Sequence, residues 1–230
     1  MSDIHFKGEG YNFTLDKVVA HDRPTPFDVR VYLNPAKITI PQYQYRIGYF
    51  LSDKWAISWG FNHMKYVMDA YQTAKITGTI NTPEAGIYNG DYQQQDLELT
   101  KDFLQLEHTN GLNYLSVNFD RVETLWVGKH RRVSLSAIAG IGAGVMYPKS
   151  DIKLFGRGVD RWHVAGFGLS SQIALRLEFF KNLFLEAQFE GGLIDMPDII
   201  TTGDAGAGAK QHFFYREETI MFGGYIPLFQ

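Results

Sequence analysis

The chain has 230 residues, no cysteine, 15% aromatic residues and a formal net charge of −3. Lack of cysteine excludes disulfide frameworks and thiolate metal sites, and a weakly acidic balance without long basic runs argues against nucleic acid as a partner. A mean hydropathy of −0.20 excludes a helical membrane protein but not a β-barrel, whose strands are apolar on one face only.

The length suits one domain, residues 1–230. No apolar run of a signal peptide follows Met1-Ser2-Asp3-Ile4-His5, so for an exported protein the expectation is a mature form. About His5 to Val19 alternates, with Tyr11, Phe13 and Leu15 opposite Asn12, Thr14 and Asp16, and predicts a first strand. Pro24, Pro26 and Pro35 make 21–40 a loop. Tyr43, Tyr45, Ile47, Tyr49 and Leu51 then share one face, with Gln42, Gln44, Arg46 and Gly48 on the other. After a turn at 52–54, Trp55, Ile57, Trp59 and Phe61 repeat the pattern against Ala56, Ser58, Gly60 and Asn62. Such aromatic rows are a liability in water but suit the lipid face of a membrane barrel.

Residues 69–102 are polar and read as a long loop, with a hairpin of Ala74 to Ile80 against Leu97 to Thr100 projecting beyond the barrel. The next strand, Phe103 to Trp126, puts Leu115, Val117 and Phe119 on one face. Asn110-Gly111 could instead be a hairpin turn, which would raise the strand count. Val133 to Tyr147 is the clearest segment. Its odd positions are all apolar, and its even positions are mostly Ser and Gly. Gly140 and Gly144 allow a rival helix reading, but the segment is short of the about 20 residues a helix needs to span hydrocarbon, and its period is 2.

Pro148 to Arg161 reads as a charged loop. Phe167, Leu169, Ile173, Leu175, Leu177 and Phe179 form another apolar row, opposite Gly168, Ser170, Gln172, Arg176 and Glu178. After a turn at 181–182, Leu183, Leu185, Ala187, Phe189 and Leu193 face Glu186, Gln188 and Glu190. Residues 197–209 read as a loop without a phosphate-binding pattern, and a last strand runs from about Phe213 to Phe229.

Short connections at 52–54, 128–132 and 181–182 alternate with long ones at 21–40, 69–102, 148–162 and 197–210. This predicts an all-β, antiparallel, up-and-down transmembrane barrel of about 8 strands, or 10 with the extra hairpin, with short periplasmic turns and long extracellular loops. In this pattern the chain resembles the bacterial outer-membrane barrels of the OmpA, OmpX and lipid A-modifying types. The resemblance covers nearly the whole chain, without a specific motif. Phe229 is similar to the terminal aromatic that the barrel-assembly machinery reads in such proteins, although Gln230 follows it and Pro227 interrupts the strand. The resemblance implies a Gram-negative outer membrane, with lipids, lipopolysaccharide and the assembly machinery as partners.

Three groups of residues carry the functional expectations. Arg46, Arg176, Glu178, Glu186, Glu190 and Glu217 face inward as a salt-bridged plug, since eight strands enclose only a side-chain-filled interior. His21 with Asp22, His108, His163 and His212 fall at similar height near the extracellular rim and are candidates for a metal or acid–base site. Lys149, Lys153, Arg157 and Arg161 are candidate contacts for lipopolysaccharide phosphates.

The His-x-Ser pair of lipid A deacylases is absent, since His108 is followed by Thr109 and Asn110. No nucleophile is positioned by the sequence, and no cofactor is expected. The leading expectation is a structural or interaction role through the extracellular loops, a protein partner among them. The alternatives are a lipid-modifying or metal-dependent enzyme at the rim, and a soluble lipid-binding barrel with the apolar rows turned inward.

Overall fold

The computed structural model describes residues 1–32, 34–37, 42–108, 111–130, 132–180 and 182–227. In chain order the strands are β1 (Ser2–Gly8), β2 (Tyr11–Val18), β3 (Ala20–His21), β4 (Tyr43–Ser52), β5 (Trp55–Met64), β6 (Val67–Met68), β7 (Thr73–Ile80) and β8 (Gly90–Glu98). They continue as β9 (Leu104–Glu107), β10 (Leu112–Val127), β11 (Val133–Met146), β12 (Lys149–Leu154), β13 (Arg157–Trp162), β14 (Gly166–Phe179), β15 (Leu183–Ile200) and β16 (Gly208–Gly224). One short helix, α1 (Val29–Tyr32), and 3-10 turns at Pro35–Lys37 and Pro83–Tyr88 complete the elements.

The expected all-β, antiparallel architecture is present, but with 16 strands in place of 8 and no closed barrel among the described residues. An 11-stranded sheet has the order β4-β5-β10-β11-β14-β15-β16-β1-β2-β7-β8, and a 5-stranded sheet the order β13-β12-β9-β6-β3. The seven strands β4, β5, β10, β11, β14, β15 and β16 form a curved wall, joined at one end by the short turns. At the other end, β1, β2, β7 and β8 extend the long sheet and pack with the short one to form a head.

The head owes its stability to an apolar core. Phe6 stacks on Phe13 at 5.2 Å between ring centroids, and Phe13 meets Phe103 at 5.8 Å and Phe155 at 6.4 Å. Ile4, Leu15, Ile76, Leu104, Leu106, Ile152 and Leu154 fill the space around these rings. Each such side chain contributes about 1.5–3 kcal/mol by leaving water.

The wall is inverted. Its outer row includes Ile47, Trp59, Val117, Ile141, Leu169, Ile173 and Phe222, all exposed. Its inner row includes Ser58, Asn118, Asp120, Ser136, Gln172, Glu186, Gln188 and Glu190, all buried. A Cβ at Gly140 would run into Asp120 and Gln172, and one at Gly142 into Asn118 and Ser170. The small residues on β11 therefore make room for polar neighbours.

Several expected elements differ. The first predicted strand is the hairpin β1–β2, turning at Gly10 with φ 75°, and its apolar face lines the head core instead of lipid. The hairpin at 74–100 exists, but its return strand is Gly90–Glu98 and it extends the sheet edge. The expected strand from Phe103 to Trp126 is two strands, β9 and β10, in different sheets. The predicted loop 148–161 is the hairpin β12–β13, whose Ser150, Ile152 and Leu154 are buried. β15 runs 18 residues, passing Pro197 at an irregularity between Met196 and Ile199. Phe229, the last residue of the final predicted strand, and the Asn110 of the alternative turn lie outside the described residues. No described helix is long and apolar enough to cross a membrane.

Candidate functional site

The interior of the wall holds the largest polar constellation. Arg46 on β4 reaches Asp120 Oδ2 and Glu190 Oε2, each at 3.7 Å, and donates to Gln172 Oε1 at 3.2 Å. Gln172 in turn donates to Asp120. Glu190 and Glu217 are direct cross-strand partners on β15 and β16. The Asn62 amide donates to both, at 3.2 and 2.9 Å, and Tyr215 donates to Glu190 at 2.7 Å.

Nearer the short turns, Arg176 donates to Glu186 at 2.6 Å and to the Tyr225 hydroxyl at 3.0 Å. Its guanidinium lies 4.3 Å from the Phe184 ring centroid, and Tyr225 and Ser134 both donate to Glu178 at 2.6 Å. All six residues expected in the plug thus face the interior. Asp120, Gln172, Tyr215 and Tyr225 join them. Asp120 was legible from its parity opposite Val117 and Phe119. Tyr225 shares the parity of Glu217 within the predicted strand to Phe229, although β16 itself ends at Gly224.

The histidines do not gather. His21 pairs with Asp69, while the neighbouring Asp22 accepts from Gln42. His163 pairs with Asp198 at 2.8 Å, and His212 is exposed on β16. His108 is fully buried in the head, with Nδ1 2.9 Å from Ser150 Oγ, and burial lowers its pKa to about 4. This Ser–His contact is sealed in the core, and among the described residues the ring's Nε2 has no partner to orient it as a base. No group of three His, Asp or Glu among the described residues could hold a metal ion. The expected rim site is therefore four separate side chains. Parity and strand length gave their height but not their spacing around the rim.

The four cations expected to meet phosphate all lie on the β12–β13 hairpin. Lys149 pairs with Asp160 at 2.8 Å, and Arg157 with Asp204 at 2.8 Å and Glu84 at 3.4 Å. Lys153 and Arg161 are exposed on the same hairpin.

A cavity of about 880 Å³ opens where the wall fails to close, between β4 and β16. Gln44, Tyr66, Leu112, Tyr215 and Glu217 line it. Among the described residues, no strand pairs with the free edge of β4, or beyond Gln211 with the edge of β16 opposite β15.

These features define an all-β protein with an apolar-cored head on an inside-out wall. The sequence matches no protein-family model, and neither a curated protein nor a solved structure aligns with it significantly.

Proposed function

We propose that the chain is an integral protein of a Gram-negative-type outer membrane, with the wall in lipid, the short turns on the periplasmic side and the head outside the cell. The observation that carries this reading is the exposed apolar row that recurs on β4, β5, β10, β11, β14 and β15 around a buried polar interior; on β16, Arg216 and Glu218 interrupt that row between Phe214 and Ile220. Contiguous apolar surface of that extent marks a membrane or interaction site, and here it recurs on strand after strand. The role is structural or interactive. The head supplies the recognition surface, and the β12–β13 hairpin carries Lys153 and Arg161 where lipopolysaccharide phosphates would meet them. A lumenal ligand site of the soluble lipid-binding kind has little support, since the wall's interior is polar and its apolar rows point out.

The test is electrophoresis of detergent-extracted protein with and without boiling, together with circular dichroism. A β-rich spectrum and a heat-dependent mobility shift are expected. Protein that stays soluble and monomeric without detergent would overturn the membrane assignment.

A further inference from the structure

The wall has seven strands, and six antiparallel steps separate β4 from β16. Its two free edges therefore run in the same direction, from the head towards the short turns. One strand of the opposite direction, and only such a strand, would pair antiparallel with both. β4 offers 10 residues of edge, which matches the about 9–11 residues a strand needs to cross a bilayer. β1 already runs in the required direction, and its pairing with β16 ends near Met1, with Ile4 opposite Gln211. The seam lies in line with β1, directly below it.

We infer that the seam between β4 and β16 is a docking site for one extended polypeptide segment, running from the short-turn side towards the head and alternating apolar and polar residues. The argument rests in part on the membrane reading, because open sheet edges are not tolerated in hydrocarbon. Two further observations define the segment's inward face. In the wall's interior network Asp120, Glu178, Glu186, Glu190 and Glu217 meet Arg46 and Arg176, and Asp22 and Lys65 line the head end of the seam cavity. Buried acceptors beside the seam, Gln44 Oε1 and Asn62 Oδ1, have no described partner. Like charges directly opposite on neighbouring strands destabilise a sheet, and Glu190 faces Glu217 in that way. A Lys or Arg on the segment's inward row, at the level of Glu217, would complete this charge set. A second copy in the same membrane does not fit, because rotation about the membrane normal leaves its edges running the same way as those of the first.

The chain has no cysteine, so the seam can be mapped by disulfide trapping. Phe214 and Phe222 lie on the exposed face of β16, one towards the head and one towards the short turns. The probe is a synthetic peptide of about twelve residues alternating Leu and Thr, with one central Lys on the Thr row and a cysteine at one end. A peptide with its cysteine at the C-terminus should trap on F214C at least tenfold better than on F222C. Moving the cysteine to the N-terminus should reverse the preference. Glu217→Gln should reduce trapping of the Lys peptide several-fold and leave a Gln-for-Lys peptide unchanged.

Equal trapping at both positions, the opposite polarity or no trapping would overturn the inference. Disulfide-linked dimers of F214C or F222C that exclude the peptide would assign the edges to a second copy instead. The readout is end-specific and can be taken in detergent or in buffer. Solubility without detergent would therefore end the membrane reading while still reporting on the seam.

Discussion

On β2, Tyr11, Phe13 and Leu15 alternate with polar residues and are buried; on β14, Phe167, Leu169 and Ile173 alternate in the same way and are exposed. The difference lies in what covers each sheet. The apolar face of β2 meets Phe103 and Phe155 from the segments flanking the second sheet, whereas no described element covers the outer face of β14. Alternation fixes which residues share a face, and topology decides whether another element of the protein covers it.

The comparison can be broken most forcefully at a single ring. Phe13→Ala removes a fully packed aromatic from the head and should cost about 3–5 kcal/mol in denaturant unfolding. Ile173→Ala on the outer wall, followed in detergent, should stay within about 0.5 kcal/mol. Similar losses at the two sites would mean that the wall's exterior is a buried core after all.

A second contrast separates the wall's faces. On the membrane reading proposed above, Ile141→Arg should cost roughly 2–4 kcal/mol in a bilayer, because the exposed Ile141 side chain would then face lipid. Gly142→Arg should be resisted equally in detergent and bilayer, since its side chain meets Asn118 and Ser170. A medium-independent effect at both positions would sink the assigned register.

The third prediction uses pH and concerns the head alone. His108 stays neutral in the folded protein down to about pH 4, while the unfolded chain binds a proton below about 6.5. The unfolded state therefore holds more protons between those values, so stability falls as pH drops through that window and levels off below it. The loss is at most about 3 kcal/mol. Unfolding midpoints at pH 7.5 and 4.5, compared between the parent and His108→Asn, should show a smaller acid loss in the variant. Equal losses would show that His108 is not the titrating group.

Much of the wall was legible in the sequence, because strict alternation in 43–51, 55–61, 133–147, 167–179 and 183–193 leaves little choice of structure or face. The head was not. Its strands are short, and β12–β13 is dense with charge, so it reads as a loop although Ile152 and Leu154 hold the parity of a buried face. Pro148 and Pro197 also read as breaks. The first instead precedes a strand, and the second sits at a ladder irregularity, where a missing N–H donor is tolerated. The plug was foreseen because charges facing away from an apolar row have only the interior to enter. The histidine rim failed because equal height along strands says nothing of distance around a curved sheet.

β15 runs unbroken for 18 residues through wall and head, about 60 Å of strand, and β16 accompanies it from Gly208 to Gly224. The boundary between the two environments thus falls in mid-strand, with no linker on which the head could pivot. Load applied to the head passes into the wall through strands that both regions share, across the ladder irregularity between Met196 and Ile199, and not through a flexible tether.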